Sequence, residues 1–311
     1  MNYQPLVSII IPVYKGDPYL RESIDSALAQ TYPNIEVIVV NDGSPDDGKT
    51  EAIALEYGDK IRYFAKENGG VSTALNYGIS QMKGEWFSWL SHDDLYEPEK
   101  IQRQIEAVSE LEDKVCVVRC TTTAVNEHGQ PINRSVVISD GFFEADKMAE
   151  LFFLKRASLY GCALLIHKEI IDKCGFFDLD FKVVQDTDYW TRIMFGGYKF
   201  LSLPDKLVKM RIHSGQSTNL LMDKFEPEFK MFAERVVGYY KDNPENNRKI
   251  VITFACKQAK ENRPKLKRIV TDAVKPNFAE SMKIAYYTVY GKFYSAAKKL
   301  YHSIVIKKHR A

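Results

Sequence analysis

The sequence predicts a doubly wound α/β domain built on a mixed sheet, followed by a helical C-terminal appendage. Leu6–Val13, Ile35–Val40 and Trp86–Leu90 are near-continuous apolar runs of strand length, the pattern of parallel strands buried on both faces. Between them apolar positions recur at helical spacing, as at Leu20, Ile24, Ala27 and Leu28, so strands and helices alternate. A composition shift near Asn243-Pro244-Glu245-Asn246 divides the chain into a domain over 1–245 and an appendage over 246–311.

In order, the first strand is expected to end near Pro12, because proline brings no N–H to a central ladder. Asp17 is placed to cap the helix that follows. The second strand runs into Asn41-Asp42-Gly43-Ser44. A short third strand over 61–64 and a helix from Val71 to about Met82 lead to the fourth strand at Trp86. Next come a helix over 101–111, a strand over 115–119 and a hairpin within 121–138 around Asn126-Glu-His-Gly129. A strand over 159–166, a short helix over 168–174 and a helix over 186–195 closed by Gly196-Gly197 follow. Strands over 199–202 and 206–212 complete the sheet.

At 311 residues, 45% hydrophobic and 27% charged, the chain has ample material for a globular core. Its five cysteines are odd in number and form no CxxC pair. Cys116 and Cys120 stand roughly 13 Å apart along one strand, too far for a bridge. With no apolar leader after Met1 and no apolar run long enough to span a bilayer, the expectation is a reducing, cytosolic setting. The net charge of +2 hides an asymmetry. From Asn246 on there are 16 Lys/Arg against 3 Asp/Glu, and before it 27 against 38. An acidic body with a basic tail points to an anionic partner for the tail, a membrane surface or a nucleic acid. The acidic body speaks against an extended nucleic-acid surface.

The candidate chemistry collects at strand ends. The fourth strand gives way abruptly to Ser91-His92-Asp93-Asp94. Two adjacent carboxylates at the end of a buried strand call for a cation or solvent, in the region where open α/β sheets bind ligands. Asp94 and Glu97 ahead of Pro98 equally suit an acidic helix start. Asp42 at the tip of the second strand is able to accept from a nucleoside base or ribose, or to serve an Asp-Gly turn. Lys66-Glu67-Asn68-Gly69-Gly70 places a flexible turn before a helix N-terminus suited to phosphate, with Ser72 also a plain N-cap. Asp186 and Asp188 open an aromatic-rich helix, where Asp186 fits either a general base or a cap. Arg211 and His213 differ by two and share a strand face, one suited to phosphate and the other to metal.

Taken together, Pro12-Val-Tyr14, Asn41-Asp-Gly-Ser44, Glu67-Asn-Gly-Gly70 with Asn76, Ser91-His-Asp-Asp94, Gln185-Asp-Thr-Asp-Tyr-Trp190 and Arg211-Ile-His213 resemble family 2 glycosyltransferases of the GT-A fold. The resemblance covers roughly residues 5–215 and is nearest to bacterial members that build surface polysaccharides. It implies that Pro12, Tyr14 and Asp42 line a nucleoside pocket. Glu67, Asn68, Gly69 and Gly70 would shape the nucleotide-sugar cleft, supported by Asn76, with Ser91 and His92 beside it. Asp93, with Asp94 and His213, would hold Mg²⁺ or Mn²⁺ on the diphosphate, and Asp186 would deprotonate the acceptor hydroxyl. Two departures stand out. Ser91 replaces the usual Asp and brings no charge, which makes Asp94 a substitute ligand. Ala74-Leu75-Asn76 lacks the Arg often found before the Asn.

These residues suit displacement at an anomeric carbon through an oxocarbenium-like state, with a base on the attacking side and charge neutralisation on the leaving side. One base, one metal site and no evident nucleophile favour inversion. The implied function is transfer of a sugar from a nucleotide-diphosphate donor, expected to be a UDP-sugar, to a hydroxyl of a glycan or lipid-linked acceptor. A nucleotidyl- or phosphotransferase would usually carry a Gly-x-x-x-x-Gly-Lys-Ser/Thr loop, which is absent. Retention of Asp42, Asp93, Asp94, Asp186 and His213 argues against a catalytically inactive nucleotide-sugar-binding relative. In the tail, Met282, Tyr286, Val289, Phe293, Ala297, Leu300 and Ile304 recur every three or four residues, with Lys283, Lys292, Lys298 and Lys299 mostly off that stripe. This pattern over 281–311 fits an interfacial helix on anionic lipid at the inner face of the plasma membrane, or an ordinary helix packed on the catalytic domain.

Overall fold

A computed structural model describes residues 3–132, 140–216 and 221–308, with side chains for all of these except Met222 and 297–308. The chain forms two compact units, Met1–Ala145 with Ser158–Phe225, and Asp146–Ala157 with Glu226–Ala311.

In the first unit, β1 (Val7–Val13), β2 (Ile35–Asp42), β3 (Arg62–Lys66) and β4 (Trp86–Trp89) alternate with α1 (Leu20–Leu28), α2 (Lys49–Leu55) and α3 (Val71–Gln81). Then come β5 (Leu95–Tyr96), α4 (Lys100–Ser109), β6 (Cys116–Val125) and β7 (Gly141–Phe143). After α5 (Ala145–Phe153), most of which lies in the second unit, follow β8 (Leu164–His167), α6 (Lys168–Cys174), α7 (Gln185–Phe195) and β9 (Lys199–Arg211). The sheet order is β3-β2-β1-β4-β8-β6-β9-β5, with β7 also on β9. The β3-β2-β1-β4 half is parallel, and β8 runs antiparallel between β4 and β6. Strand order reverses between β1 and β4, so their carboxyl ends form the crevice where such sheets bind ligands. Every residue of β1 is buried, as its unbroken apolar run requires.

Several expectations shift in detail. β1 continues through Pro12, which pairs with Val40. Ile10 O accepts from Leu90 N, so Ile10, and Pro12 two residues on, turn their peptide groups toward β4. That ladder ends at Ile10–Trp89, and the missing N–H meets no ladder partner. Asp17 does not cap α1; the N-cap position is Tyr19 and has no side-chain bond. The apolar run from Leu159 yields a strand only from Leu164, after a tight turn at Gly161–Ala163. The two strands expected near 199–212 are one, β9, with the irregularity at Pro204-Asp205 absorbed by a register shift against Thr121. Thr121 Oγ1 lies 3.0 and 2.9 Å from the carbonyls of Pro204 and Asp205. The Asn126–Gly129 turn is present, with Val125 bridging Pro131; the remainder of the expected hairpin, 133–138, lies outside the described residues.

The second unit holds α8 (Phe225–Asp242), α9 (Pro244–Lys260), α10 (Pro264–Val274) and α11 (Phe278–Lys308) together with 146–157. The division expected at 245/246 therefore falls inside this unit. Aromatic packing explains why: Phe254 of α9 meets Phe232 of α8 at 5.4 Å and Phe153 of α5 at 5.2 Å between ring centroids, so α8 and the 146–157 segment share one core with the later helices. Among the described residues no helix is long and apolar enough to cross a membrane.

Candidate active site

The end of β4 opens into a turn in which Asp94 N donates to Ser91 O at 3.1 Å. The next two residues form β5, which pairs Leu95 with Lys209 and Tyr96 with Val208 of β9. That short ladder delivers the residues after β9 to the mouth of β4. Asp93 Oδ2 lies 2.9 Å from His213 Nε2, both side chains about one-seventh exposed at 14% and 15%. The His213 ring stands 5.0 Å from that of Tyr19. On the other side, His92 hydrogen-bonds the Pro12 carbonyl, tying β4's end to β1's; burial holds its pKa below the ordinary value, against the pull of Asp93.

Asp94 points the other way. It is fully buried and accepts from Tyr160 Oη, from Arg211 N at 2.9 Å and from the Cys162 thiol at 3.1 Å. Burial, reinforced by Asp93, pushes its pKa up to about 7. A carboxyl so enclosed braces the floor, with all three of these donors supplied by the protein. Ser91 belongs to the same floor: its N–H donates to Cys162 Sγ at 3.2 Å, and the thiol lies 3.3 Å from its hydroxyl. Arg211 is likewise internal. It is 1% exposed, and its guanidinium donates to the carbonyls of Asp93 and Glu127 and to Glu22 Oε2, at 2.9, 2.7 and 2.6 Å. It does not present itself to a phosphate.

Asp42, 3% exposed, is saturated by protein donors. Lys66 Nζ (2.7 Å), Gly70 N (2.7 Å), Gly69 N (3.1 Å) and Asn68 Nδ2 (3.2 Å) all converge on its carboxylate. The turn depends on glycine: Gly43 and Gly70 have φ of 65° and 92°, and a Cβ on Gly43 would stand 2.6 Å from Asn68 N. Asp42 thus holds the turn that begins α3. Glu67 is exposed beside it. Tyr14, 42% exposed, reaches the same end of the sheet through Lys15, whose N–H donates to Ser44 Oγ at 2.9 Å.

The third component is the approach to α7. Asn76 on α3 pairs with both backbone groups of Phe177: Nδ2 donates to its carbonyl at 2.8 Å and Oδ1 accepts from its N–H at 2.9 Å. Phe177 is buried against Trp89, Tyr189 and Trp190. Lys182 Nζ then donates to Gly69 O at 3.3 Å, drawing the segment before Asp186 onto the glycine turn. Asp186 is half-buried in the first turn of α7, while Asp188 is buried in an ion pair with Arg192 at 2.9 Å. Neither is the N-cap, which is Val184.

Among the described residues no three His, Cys, Asp or Glu side chains cluster for metal ligation. The Asp93–His213 pair has the chemistry and spacing: adjacent ligands on an octahedral ion with bonds of roughly 2.1 Å stand roughly 3 Å apart. Such a pair fits Mg²⁺ or Mn²⁺ that takes its other oxygens from phosphate and water. Sequence reasoning missed Tyr160, Cys162, Lys66 and Lys182. Of these only Lys66, adjoining the Glu67-Asn68-Gly69-Gly70 turn, carried a local signal.

Comparison with known proteins identifies the family and the fold. The pattern described as glycosyl transferase family 2 matches residues 8–175. An uncharacterized glycosyltransferase of Rickettsia typhi is 48% identical over 232 residues, covering 72% of this chain and 70% of that protein. One of Rickettsia bellii is 50% identical over 221 residues, 70% of this chain but 31% of its own length. Among solved structures, residues 1–349 of S. aureus TarS in complex with UDP-GlcNAc align with a TM-score of 0.67 at 18% identity, covering 90% of this chain and 79% of that one. The mannosyltransferase PcManGT from Pyrobaculum calidifontis, in complex with GDP-Man and Mn²⁺, aligns at 0.56 and 18%, covering 95% and 86%. The sheet is therefore of the GT-A type, and the chain belongs to glycosyl transferase family 2.

Proposed function

We propose that this glycosyltransferase inverts configuration as it moves a sugar from a nucleotide-diphosphate donor, a UDP-sugar, to a hydroxyl of a glycan or lipid-linked acceptor in surface polysaccharide synthesis. The observation that carries the reading is the closure of Asp93 onto His213, 120 residues apart, at the reversal point of the sheet. Glycosyltransferase relatives and a UDP-GlcNAc-bound structural neighbour support the donor class. A Mn²⁺-bound neighbour supports the cation.

Asp93 and His213 would hold Mg²⁺ or Mn²⁺, which when bound neutralises charge on the departing diphosphate. The Gly69-Gly70 turn, fixed by Asp42, Asn68 and Lys66, presents the N-terminus of α3 to the donor. Asp186, held at the start of α7 by the Phe177 and Lys182 contacts, takes the proton from the acceptor hydroxyl as the new bond forms. Asp42 and Asn76 act by positioning, and Asp94 and Ser91 support Asp93 from beneath. A peripheral position on the inner, cytoplasmic face of the plasma membrane completes this reading.

A panel of nucleotide sugars with Mn²⁺ or Mg²⁺, scored for donor hydrolysis, tests it. One UDP-sugar is expected to turn over, and Asp186→Asn to reduce turnover at least about 100-fold while nucleotide affinity stays within about twofold. Full turnover by Asp186→Asn removes that residue from the mechanism.

A further inference from the structure

We infer that the outward face of α11 docks on anionic lipid, with its aromatic side chains at headgroup depth and its lysines reaching to the phosphates. The inward face of the helix is fixed by two residues. Gly291 lies against the end of α9, where a Cβ would stand 2.5 Å from Lys260 O and 2.6 Å from Ala259 O, and Ile284 is 5% exposed. At 100° per residue, Phe278, Met282, Tyr286, Val289 and Phe293 fall within about 50° of the opposite direction.

These five are 83%, 58%, 64%, 54% and 72% exposed, an apolar stripe four turns long that no described residue of the second unit covers. Tyr290 and Tyr294 border it, their rings stacked at 6.4 Å. Lys283 and Lys292 lie on either side of the stripe at about 100° and 80° from its centre, where long stems lie along apolar surface and lift their charges to phosphate depth. After Glu280 the sequence has seven Lys/Arg and no acid. That charge decides the occupant. Two copies of such a helix face to face would set like charges against each other, whereas an anionic bilayer accepts both the aromatic stripe and its basic borders.

The test is sedimentation of the full chain with vesicles, either pure phosphatidylcholine or equimolar phosphatidylcholine and phosphatidylglycerol. Binding is expected to the anionic vesicles alone and to weaken as salt rises. Tyr286→Glu with Phe293→Glu is expected to lower the partition at least about tenfold, with an unchanged far-UV melt. Phe278→Ser with Phe293→Ser keeps the charge and makes the same point if the glutamates perturb the helix. Undiminished binding by both double variants overturns the proposal. So does a wild-type dimer in size-exclusion chromatography that these substitutions dissolve while the chain ignores anionic vesicles.

Discussion

Asp42→Asn separates two roles that one position in the sequence offered, contact with a nucleoside and support of a turn. The carboxylate takes Lys66, two backbone N–H groups and the Asn68 amide at 2.7–3.2 Å while 3% exposed. The amide variant removes the charge facing Lys66 and turns an NH₂ toward groups that are themselves donors. Breaking a buried pair from one side costs about 3–5 kcal/mol. Lys66 retains 21% side-chain exposure and can turn to water, so the lower end, about 3 kcal/mol, is expected. For a unit of this size that is a fall in Tm of about 6–12 °C. Trp86, Trp89 and Trp190 are the chain's three tryptophans and all lie in the first unit, so selectively excited tryptophan fluorescence reports that unit. The melt is done without nucleotide. An unchanged Tm with a loss confined to nucleotide affinity would refute the reasoning and return Asp42 to the ligand.

Asn76→Ala leaves both backbone groups of the buried Phe177 without their partner, at about 1–3 kcal/mol; turnover is expected to fall by at least about tenfold with donor affinity nearly intact, measured by kinetics beside nucleotide titration. Lys100 is fully buried, with its ammonium 3.0 Å from both Ser88 Oγ and Gln104 Oε1, and burial lowers its pKa to about 8. Between about pH 8 and 10.5 the unfolded chain binds a proton there that the native chain does not, so this group makes stability rise with pH in that window by about 3 kcal/mol. Buried thiols such as Cys120, pushed up to about 11 by burial, pull the other way, so the check is a difference: between pH 8 and 10 denaturant melts should show wild type gaining roughly 2 kcal/mol relative to Lys100→Met; equal pH dependence of the two would contradict it.

The parallel half of the sheet was legible because β1, β2 and β4 are buried on both faces and leave unbroken apolar runs. The antiparallel half was less so. β5 is two residues long and β7 three, and both exist only by pairing with β9. The bulge at Pro204-Asp205 looks like a strand end when the partner Thr121 is unknown. At the site, residue types were readable and directions were not. Asp93 and Asp94 are indistinguishable in sequence, yet one faces His213 and the other Tyr160 and Cys162, because the β4–β5 turn points successive side chains to opposite sides. Asp42 and Asn76 carry the right chemistry for a sugar nucleotide, but the carboxylate and amide are occupied by backbone groups about 30 and 100 residues away in sequence. Such long-range pairing leaves no local signature.

The most direct measurement of the central claim is calorimetric titration of UDP into the full chain, with and without Mn²⁺, for wild type, Asp93→Asn and His213→Gln. The account predicts that Mn²⁺ raises wild-type affinity at least about tenfold and that each substitution abolishes most of that gain. A Mn²⁺ enhancement retained by both variants would contradict it.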